Sequence, residues 1–473
     1  MKIPFSKDQI IERIKFENPW WQLNNIDAYY LKMRKREYFN IFFDLVTERS
    51  IRRAVVLMGP RRVGKTVLLF HSIQELIKQG ISPSRICYFS VETPIYNGIG
   101  LEELLNMFLE VSGQNAKEEL FIFFDEIQYL KNWEVHLKSL VDSYHSMKFV
   151  VSGSAAAALK LKSNESGAGR FTDFLLPPLT FHEYLSLKNI DNIITEKEHT
   201  GYKYEYETSD INLLNKYFID YINFGGYPEV SLSEAIQSDP GRYIRNDIID
   251  KVLLRDLPIL YGIEDIQELN TLFTYIAYNS GNEMSLDTIS KSSGVAKNTI
   301  KKYITYLEAA FLIKVVHRID HNCKIFKRAN FFKIYLTNPS LRCALFSPLS
   351  ESDNFIGNLV ETAIYSQWQH SGEPLYYARW NNGEIDIVSL EKSSQKPDWI
   401  VEVKWTNKLA EDPRELKNIR SFSLQHNISS PRITTYDISK NEDLDGLNYK
   451  FTPSSLYCYT VGRNLLSSKG LFA

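Results

Sequence analysis

Residues 54–79 read AVVLMGPRRVGKTVLLFHSIQELIKQ, and this stretch decides the fold of the first part of the chain. AVVLM is a short apolar run that ends at Gly59-Pro60, the pattern of a buried strand entering a turn. VGKTVLLFHSIQELIKQ continues as a helix stopped by Gly80. Between the two, Gly59-Pro60-Arg61-Arg62-Val63-Gly64-Lys65-Thr66 fits G-x-x-x-x-G-K-[ST] without a mismatch. Glycines at these places let backbone N–H groups curl round phosphate oxygens, and the helix that follows adds its positive N-terminal end. Lys65 then reaches the β- and γ-phosphates, and the Thr66 hydroxyl ligates Mg²⁺. The loop from Gly59 to Thr66, together with Val67, is the expected nucleotide contact, with ATP and Mg²⁺ as the expected cofactors. A chance match in a loop is the competing reading, and the strand before and helix after weigh against it.

Outward from this loop the same grammar repeats. ICYFSVE (86–92), LFIFFDEI (120–127) and FVVSGSAA (149–156) are further buried-strand candidates separated by helical stretches. Strands alternating with helices imply βαβ units and a parallel sheet, an α/β class. The acids Asp125 and Glu126 end one such strand. There Asp125 would hold the Mg²⁺ shell and Glu126 would orient or deprotonate the attacking water, the alternative being a simple helix cap. Ser152 or Ser154 would sense the γ-phosphate, or merely serve a turn. Arg170, in GAGR after a flexible stretch, is a candidate arginine finger or an ordinary surface arginine. A finger acting in trans would call for a homo-oligomer.

The chain has 473 residues, 44% hydrophobic and 24% charged, values of an ordinary globular protein of two to four domains. Its 55 Lys and Arg against 57 Asp and Glu give a net charge of −2, which excludes a wholesale polycation but not a local basic patch. Cys87, Cys323, Cys343 and Cys458 have no metal-ligand spacing and read as reduced core thiols. The N-terminus lacks an apolar h-region and the apolar runs are far short of a membrane span, so a soluble, cytoplasmic protein without membrane contact is expected. Residues 1–50 read as an amphipathic helical segment. Its cluster Lys32, Arg34, Lys35 and Arg36 reads as a solvated face, with phosphate contact as the alternative.

Residues 186–262 read as mostly helical, with FGGYPE (224–229) as punctuation. Within 263–340, a helix over Leu286–Ser292, a turn at Gly294, a second helix over Lys297–Leu307 and a β-like run have helix-turn-helix spacing with a wing. Lys291, Lys297, Lys301 and Lys302 suit phosphate contacts, with Asn298 among the few base-reading types. A lid or protein-contact role fits the same helices. Further on, Glu361 lies on a helix, Asp386 in GEIDIV, and Glu402-Val403-Lys404 on an apolar strand. Glu402 and Lys404 are two apart and share a strand face. Asp386 and Glu402, with a backbone carbonyl, can bind Mg²⁺ while Glu361 completes the acidic shell and Lys404 steers the water. The alternative is an exposed strand face with a cross-paired salt bridge.

Taken together, MGPRRVGKT, FFDEIQ, VVSGSA, GR, PLTFHEY and FGGYPE resemble the AAA+-like ATPases of bacteria and archaea that carry a C-terminal domain of unknown function. That resemblance implies an ATP-binding core, a helical lid and a winged helix placed to feel nucleotide state. The Asp386, Glu402 and Lys404 set resembles the PD-(D/E)xK nuclease fold, with Ile385 where its conventional proline stands. The expected architecture is therefore an α/β P-loop NTPase core with a parallel sheet (51–185), a helical lid (186–262), a winged helix-turn-helix (263–340) and a restriction-endonuclease-like α/β domain (341–473), after the 1–50 segment. The expected function is an ATPase coupled to a metal-dependent nuclease through a DNA-binding winged helix. The rival is an ATP-dependent switch or scaffold that binds nucleic acid or a protein partner without cleaving.

Overall fold

The apolar run AVVLM forms β1 (Ala54–Met58), buried along nearly its whole length. In this computed structural model, which describes residues 5–154, 169–197, 204–323, 330–381 and 383–469, the chain divides after Pro177 into two compact units. In the first unit β1 is joined by β2 (Ile86–Ser90), β3 (Leu120–Asp125), β4 (Met147–Gly153) and β5 (Phe171–Leu175). All pairings are parallel, in the order β2-β3-β4-β1-β5. The unbroken apolar character of LFIFF follows, since a parallel strand between helices has no solvent face. Ala155 and Ala156, the end of the FVVSGSAA run, lie outside the described residues.

A parallel sheet sends every strand's carboxyl end to one edge, and the candidate groups follow from this. The loop after β1, the acids after β3 and Ser154 after β4 all leave the sheet at that edge. The N-terminal segment is helical, as expected, with Lys7–Glu17 and Phe39–Thr47 its longest helices. It belongs to this unit, with Ile10 and Ile14 buried in the sheet's core. Asn18 bonds both the N–H and the C=O of Tyr88 at 2.7 and 2.9 Å, so its amide closes the open edge of β2 as a strand would.

The second unit holds a small hairpin, β6 (Ile194–Glu196) with β7 (Tyr206–Thr208), and a large mixed sheet. The sheet comprises β8 (Glu283–Ser285), β9 (Ile313–Ile319), β10 (Phe331–Leu336), β11 (Leu375–Trp380), β12 (Gly383–Leu390), β13 (Pro397–Glu402), β14 (Arg432–Thr435), β15 (Lys440–Leu444) and β16 (Leu447–Pro453). Their order is β15-β16-β14-β13-β12-β11-β9-β10-β8. Between β8 and β9 stand the helices Leu286–Ser293 and Lys297–Ala309, separated by Gly294 at φ 76°. The strands on either side of the expected boundary at residue 340 thus share one sheet, through the parallel pairing of β9 with β11. Register across that pair is fixed by long-range packing, which the local pattern of either segment does not encode.

The 186–262 stretch contributes core as well as surface. Its helix Ile211–Phe224 buries Phe218, Tyr221 and Ile222 against Val360, Ala363 and Ile364 of the helix Ile356–Trp368 and Cys458 of the helix Ser454–Lys469. Tyr221 donates to the Leu179 carbonyl at 2.8 Å and accepts from the Gln367 and Asn338 amides at 2.9 and 3.3 Å. All four cysteines are buried free thiols. Among the described residues no helix is long and apolar enough to cross a membrane.

FGGYPE acquires a physical reason here. A Cβ on Gly226 would stand 2.5 Å from Asn338 Oδ1 and 2.7 Å from Ser340 Oγ. Asn338 has nowhere to go, because its side chain is buried and bonded to Tyr221 and to the Ser340 N–H. Gly226→Ala is therefore expected to destabilise the second unit by about 2–4 kcal/mol through overpacking. Gly357→Ala, whose Cβ meets nothing within 4 Å, is expected to be neutral or to stabilise by up to about 1 kcal/mol through helix propensity. Urea unfolding of the two variants of the full chain, followed by circular dichroism, checks the contrast.

Candidate functional site

The loop after β1 is held by close backbone approach. A Cβ on Gly59 would fall 2.2 Å from the Leu176 carbonyl oxygen, while Leu176 donates its N–H to Met58 at 2.8 Å. Arg62 and Gly64 take left-handed backbone at φ 64° and 97°, which curls the loop into the first turn of the helix Lys65–Lys78. The Lys65 ammonium is buried and donates to the Gly59 and Pro60 carbonyls at 3.1 and 2.8 Å. Arg36 is buried too, not on a solvated face. Its guanidinium donates to the Val63 carbonyl at 2.7 Å and to Pro177 at 3.0 Å, bracing the loop from behind.

Asp125 is the hub of the site. It accepts from Thr66 Oγ1 at 2.7 Å, from the Tyr88 hydroxyl at 2.8 Å and from the Ser152 hydroxyl. Burial, and then the charge of neighbouring Glu126, hold its carboxyl above the ordinary range, and the three hydroxyls pull only partly back. Glu126 sits at φ 54°, a strained position for a residue with a side chain, and accepts from the Gln128 amide. The two serines separate clearly. Ser152 is committed to Asp125, whereas the buried Ser154 hydroxyl has no hydrogen-bond partner among the described residues.

Arg170 is not brought to this site. It precedes β5 and accepts the Ala54 N–H at the start of β1, so the length of β1, roughly 16 Å at about 3.3 Å per residue, separates it from the loop. Its guanidinium pairs with Asp142 instead. An arginine that meets the loop of its own chain must emerge at the carboxyl end of the sheet, and residue spacing alone does not show at which end an arginine emerges.

In the second unit, β12 and β13 bring Asp386, Glu402 and Lys404 together as their spacing suggests. The Lys404 ammonium lies 3.2 Å from Asp386 Oδ2, 2.7 Å from Glu402 Oε1 and 3.0 Å from the Val403 carbonyl. Asp386 Oδ2 also accepts the Val403 N–H at 2.9 Å. Glu361 is brought to the same cluster through a residue the sequence did not single out. Lys333 of β10 places its ammonium 2.8 Å from Glu361 Oε1, 2.7 Å from Glu384 Oε1 and 3.4 Å from Asp386 Oδ1. Tyr335 adds a 2.5 Å hydrogen bond to Glu361.

The electrostatics are asymmetric. Burial alone would raise Asp386, yet the Lys404 and Lys333 ammoniums outweigh it and bring the carboxyl down to about 2. Burial and then the Asp386 charge push Glu402 up to about 8. Glu402 Oε2 is buried and has no hydrogen-bond partner among the described residues. Among those residues no group of three or more His, Cys, Asp and Glu is arranged to hold a metal ion. The acids meet ammoniums instead, at 2.7–3.4 Å. The set around Lys404 is two carboxylates and a carbonyl, which is the donor chemistry of a hard cation.

Lys333, Glu384 and Tyr88 are the groups that sequence reading missed. Lys333 and Tyr88 did leave a signal, a lone polar tip inside the apolar runs FFKIYL and ICYFS. On the helix Lys297–Ala309, Ile300, Ile304 and Leu307 face inward while Lys297, Asn298, Lys301 and Lys302 are exposed, with Lys297 paired to Asp287.

Comparison with known proteins gives the following. Residues 51–185 match the family described as "AAA domain", and residues 215–353 match "Domain of unknown function (DUF8612)". An uncharacterized protein of Haemophilus influenzae is 24% identical over 369 residues, covering 77% of this chain and 85% of that one. Two uncharacterized proteins of Methanocaldococcus jannaschii are each 26% identical, one over 394 residues (81% of this chain, 82% of that one) and the other over 386 (78% and 80%). Among solved structures, Orc1 of Aeropyrum pernix in complex with DNA is 12% identical, with 69% of this chain and 96% of that chain covered and a TM-score of 0.32. AMPPCP-bound DnaA of Aquifex aeolicus is 14% identical, with 62% and 92% covered and a TM-score of 0.29. Overlaps at these scores carry nothing over to this chain. The AAA match and the parallel sheet with its loop agree on an α/β core with a P-loop in the first unit.

The raised Glu402 carboxyl has a measurable consequence. A carboxyl that binds its proton more tightly folded than unfolded loses stability as pH rises from its unfolded value, near 4.3, through its folded value of about 8. In EDTA, the melting temperature of Glu402→Gln should therefore gain on that of the wild type between pH 5 and pH 8 and hold its lead above. A gap that does not change with pH contradicts the assignment.

Proposed function

We propose that this chain is an ATP-binding and ATP-hydrolysing protein whose second unit is a metal-dependent nuclease-like module acting on DNA. In the first unit Lys65 grips the β- and γ-phosphates, Thr66 and Asp125 hold Mg²⁺, Glu126 orients the attacking water and Ser154 senses the γ-phosphate. The pairing of Thr66 with a buried, proton-retaining Asp125 supports the fit, since that carboxylate lacks a cation among its donors.

For the second unit the observation that carries the reading is the grip on Lys404. Asp386, Glu402 and the Val403 carbonyl already converge on one positive charge, and Glu402 keeps an oxygen in reserve. A divalent cation bound there supplies charge stabilisation to a phosphodiester and a more acidic water. Asp386 and Glu402 hold it, and Lys404, whose side chain is 38% exposed, swings aside to steer the water. The helices Leu286–Ser293 and Lys297–Ala309 with β8, β9 and β10 act as a winged helix-turn-helix, with Lys291, Lys301 and Lys302 on DNA phosphates. A second reading, an ATP-driven switch that binds DNA without cutting it, is favoured by the same ion pairs if Lys404 never leaves them.

Purified full chain tests these readings. Lys65→Ala should lower ATP turnover about 100-fold or more, and Glu126→Gln should do so with ATP still bound. Supercoiled and branched DNA with Mg²⁺ or Mn²⁺ should be cut by wild type and spared by Asp386→Ala. Intact DNA with every metal leaves the switch reading standing. The double substitution K301E/K302E should weaken DNA binding and flatten its salt dependence by about two units of log–log slope.

A further inference from the structure

We propose that Lys333 is a built-in cation that permanently fills a second cation position beside Asp386, so that the site accepts one divalent ion and not two. The inference rests on the metal-dependent reading of this site. Asp386 faces two positive charges with its two oxygens. Oδ2 turns to Lys404, and Oδ1 turns to Lys333. Each ammonium sits among three oxygens from three residues. Around Lys404 these are Asp386, Glu402 and the Val403 carbonyl; around Lys333 they are Asp386, Glu384 and Glu361. A carboxylate bridging two such positions is the arrangement of a two-cation site.

The two lysines differ in how freely they can leave. The Lys404 side chain is 38% exposed and the Lys333 side chain 4%. Lys404 follows the end of β13, so rotation of its stem carries the ammonium into solvent. Lys333 rises from within β10 and passes over the Tyr377 ring, 5.3 Å from its centroid, with Tyr335 closing the far side through Glu361. Withdrawing its charge would leave Glu361 and Asp386 buried together, which is strongly unfavourable. Lys333 is thus a positioning residue. It keeps Asp386 and Glu361 oriented and neutralised, and it reserves for an incoming ion only the place Lys404 can vacate.

Mn²⁺ titration of the nucleotide-free full chain by calorimetry and electron paramagnetic resonance decides the matter. Wild type should bind one Mn²⁺ with a mononuclear spectrum, lost in Glu402→Gln. Lys333→Met, which keeps the stem and removes the charge, should bind two with a spin-coupled spectrum. Two coupled ions in wild type, or one ion in Lys333→Met at unchanged affinity, overturns the proposal and leaves the metal-dependent reading intact. No Mn²⁺ in wild type overturns that reading and the proposal with it. Where Lys333→Met does not fold, the wild-type stoichiometry and spectrum still decide, since two ions there refute the role.

Discussion

A carboxylate placed out of reach of water must be given donors, and this requirement organises both units. Asp125 and Asp386 are each nearly inaccessible, at 2% and 5% exposure. Asp125 is met by three neutral hydroxyls and the Glu126 N–H, Asp386 by two ammoniums and the Val403 N–H. The consequences run in opposite directions. Hydroxyls do not offset the loss of water, and Asp125 keeps its proton more readily than a free aspartate. Ammoniums do offset it, and Asp386 stays charged down to about pH 2. The first environment leaves a need for positive charge beside Thr66. The second supplies that charge from within the fold.

Supplying it imposes a shape on the large sheet. Three strand-to-strand steps, from β10 through β9 and β11 to β12, amount to about 14 Å at about 4.8 Å each, more than a lysine stem and an aspartate span when laid flat. Lys333 and Asp386 nonetheless meet at 3.4 Å, and the helix Ile356–Trp368 delivers Glu361 to the same cluster.

What was legible in the sequence follows from the range of the interactions. Gly59 to Thr66 are eight consecutive residues, and their geometry is enforced by local backbone, so the motif could be read directly. Glu402 and Lys404 are two apart and share a face by the strand's own period, and Asp386 was found because an apolar strand carried it. Lys333 was not read, because 53 residues separate it from Asp386 and only the register across intervening strands joins them. Tyr88 reaches Asp125 from a neighbouring strand in the same way. Arg170 illustrates the converse. Its type suited a role on phosphate, but strand direction puts it at the amino end of the sheet, away from its own chain's loop after β1. The expected boundary at residue 340 ran through a sheet for a related reason: hydrophobic period identifies a strand, not its partner.

Residue type at the two cation positions is constrained beyond charge. An ammonium is a compact centre with three donors, and it can satisfy one oxygen from each of three separate side chains, as Lys333 does with Glu361, Glu384 and Asp386. A guanidinium is a planar fork matched to two oxygens of one carboxylate, so at either place it would pair one acid well and leave another buried and unmet. Two arginines stand nearby and both reach Glu283: Arg318, and Arg379, which is 43% exposed and lies between Glu283 and Glu384, where water can complete what its fork does not reach. Depth therefore sorts the two lysines, Lys333 sealed inside at 4% exposure and Lys404 nearer the surface at 38%. The same depth sorts the acids, because only those that face an ammonium on each side can remain fully ionised where water does not enter.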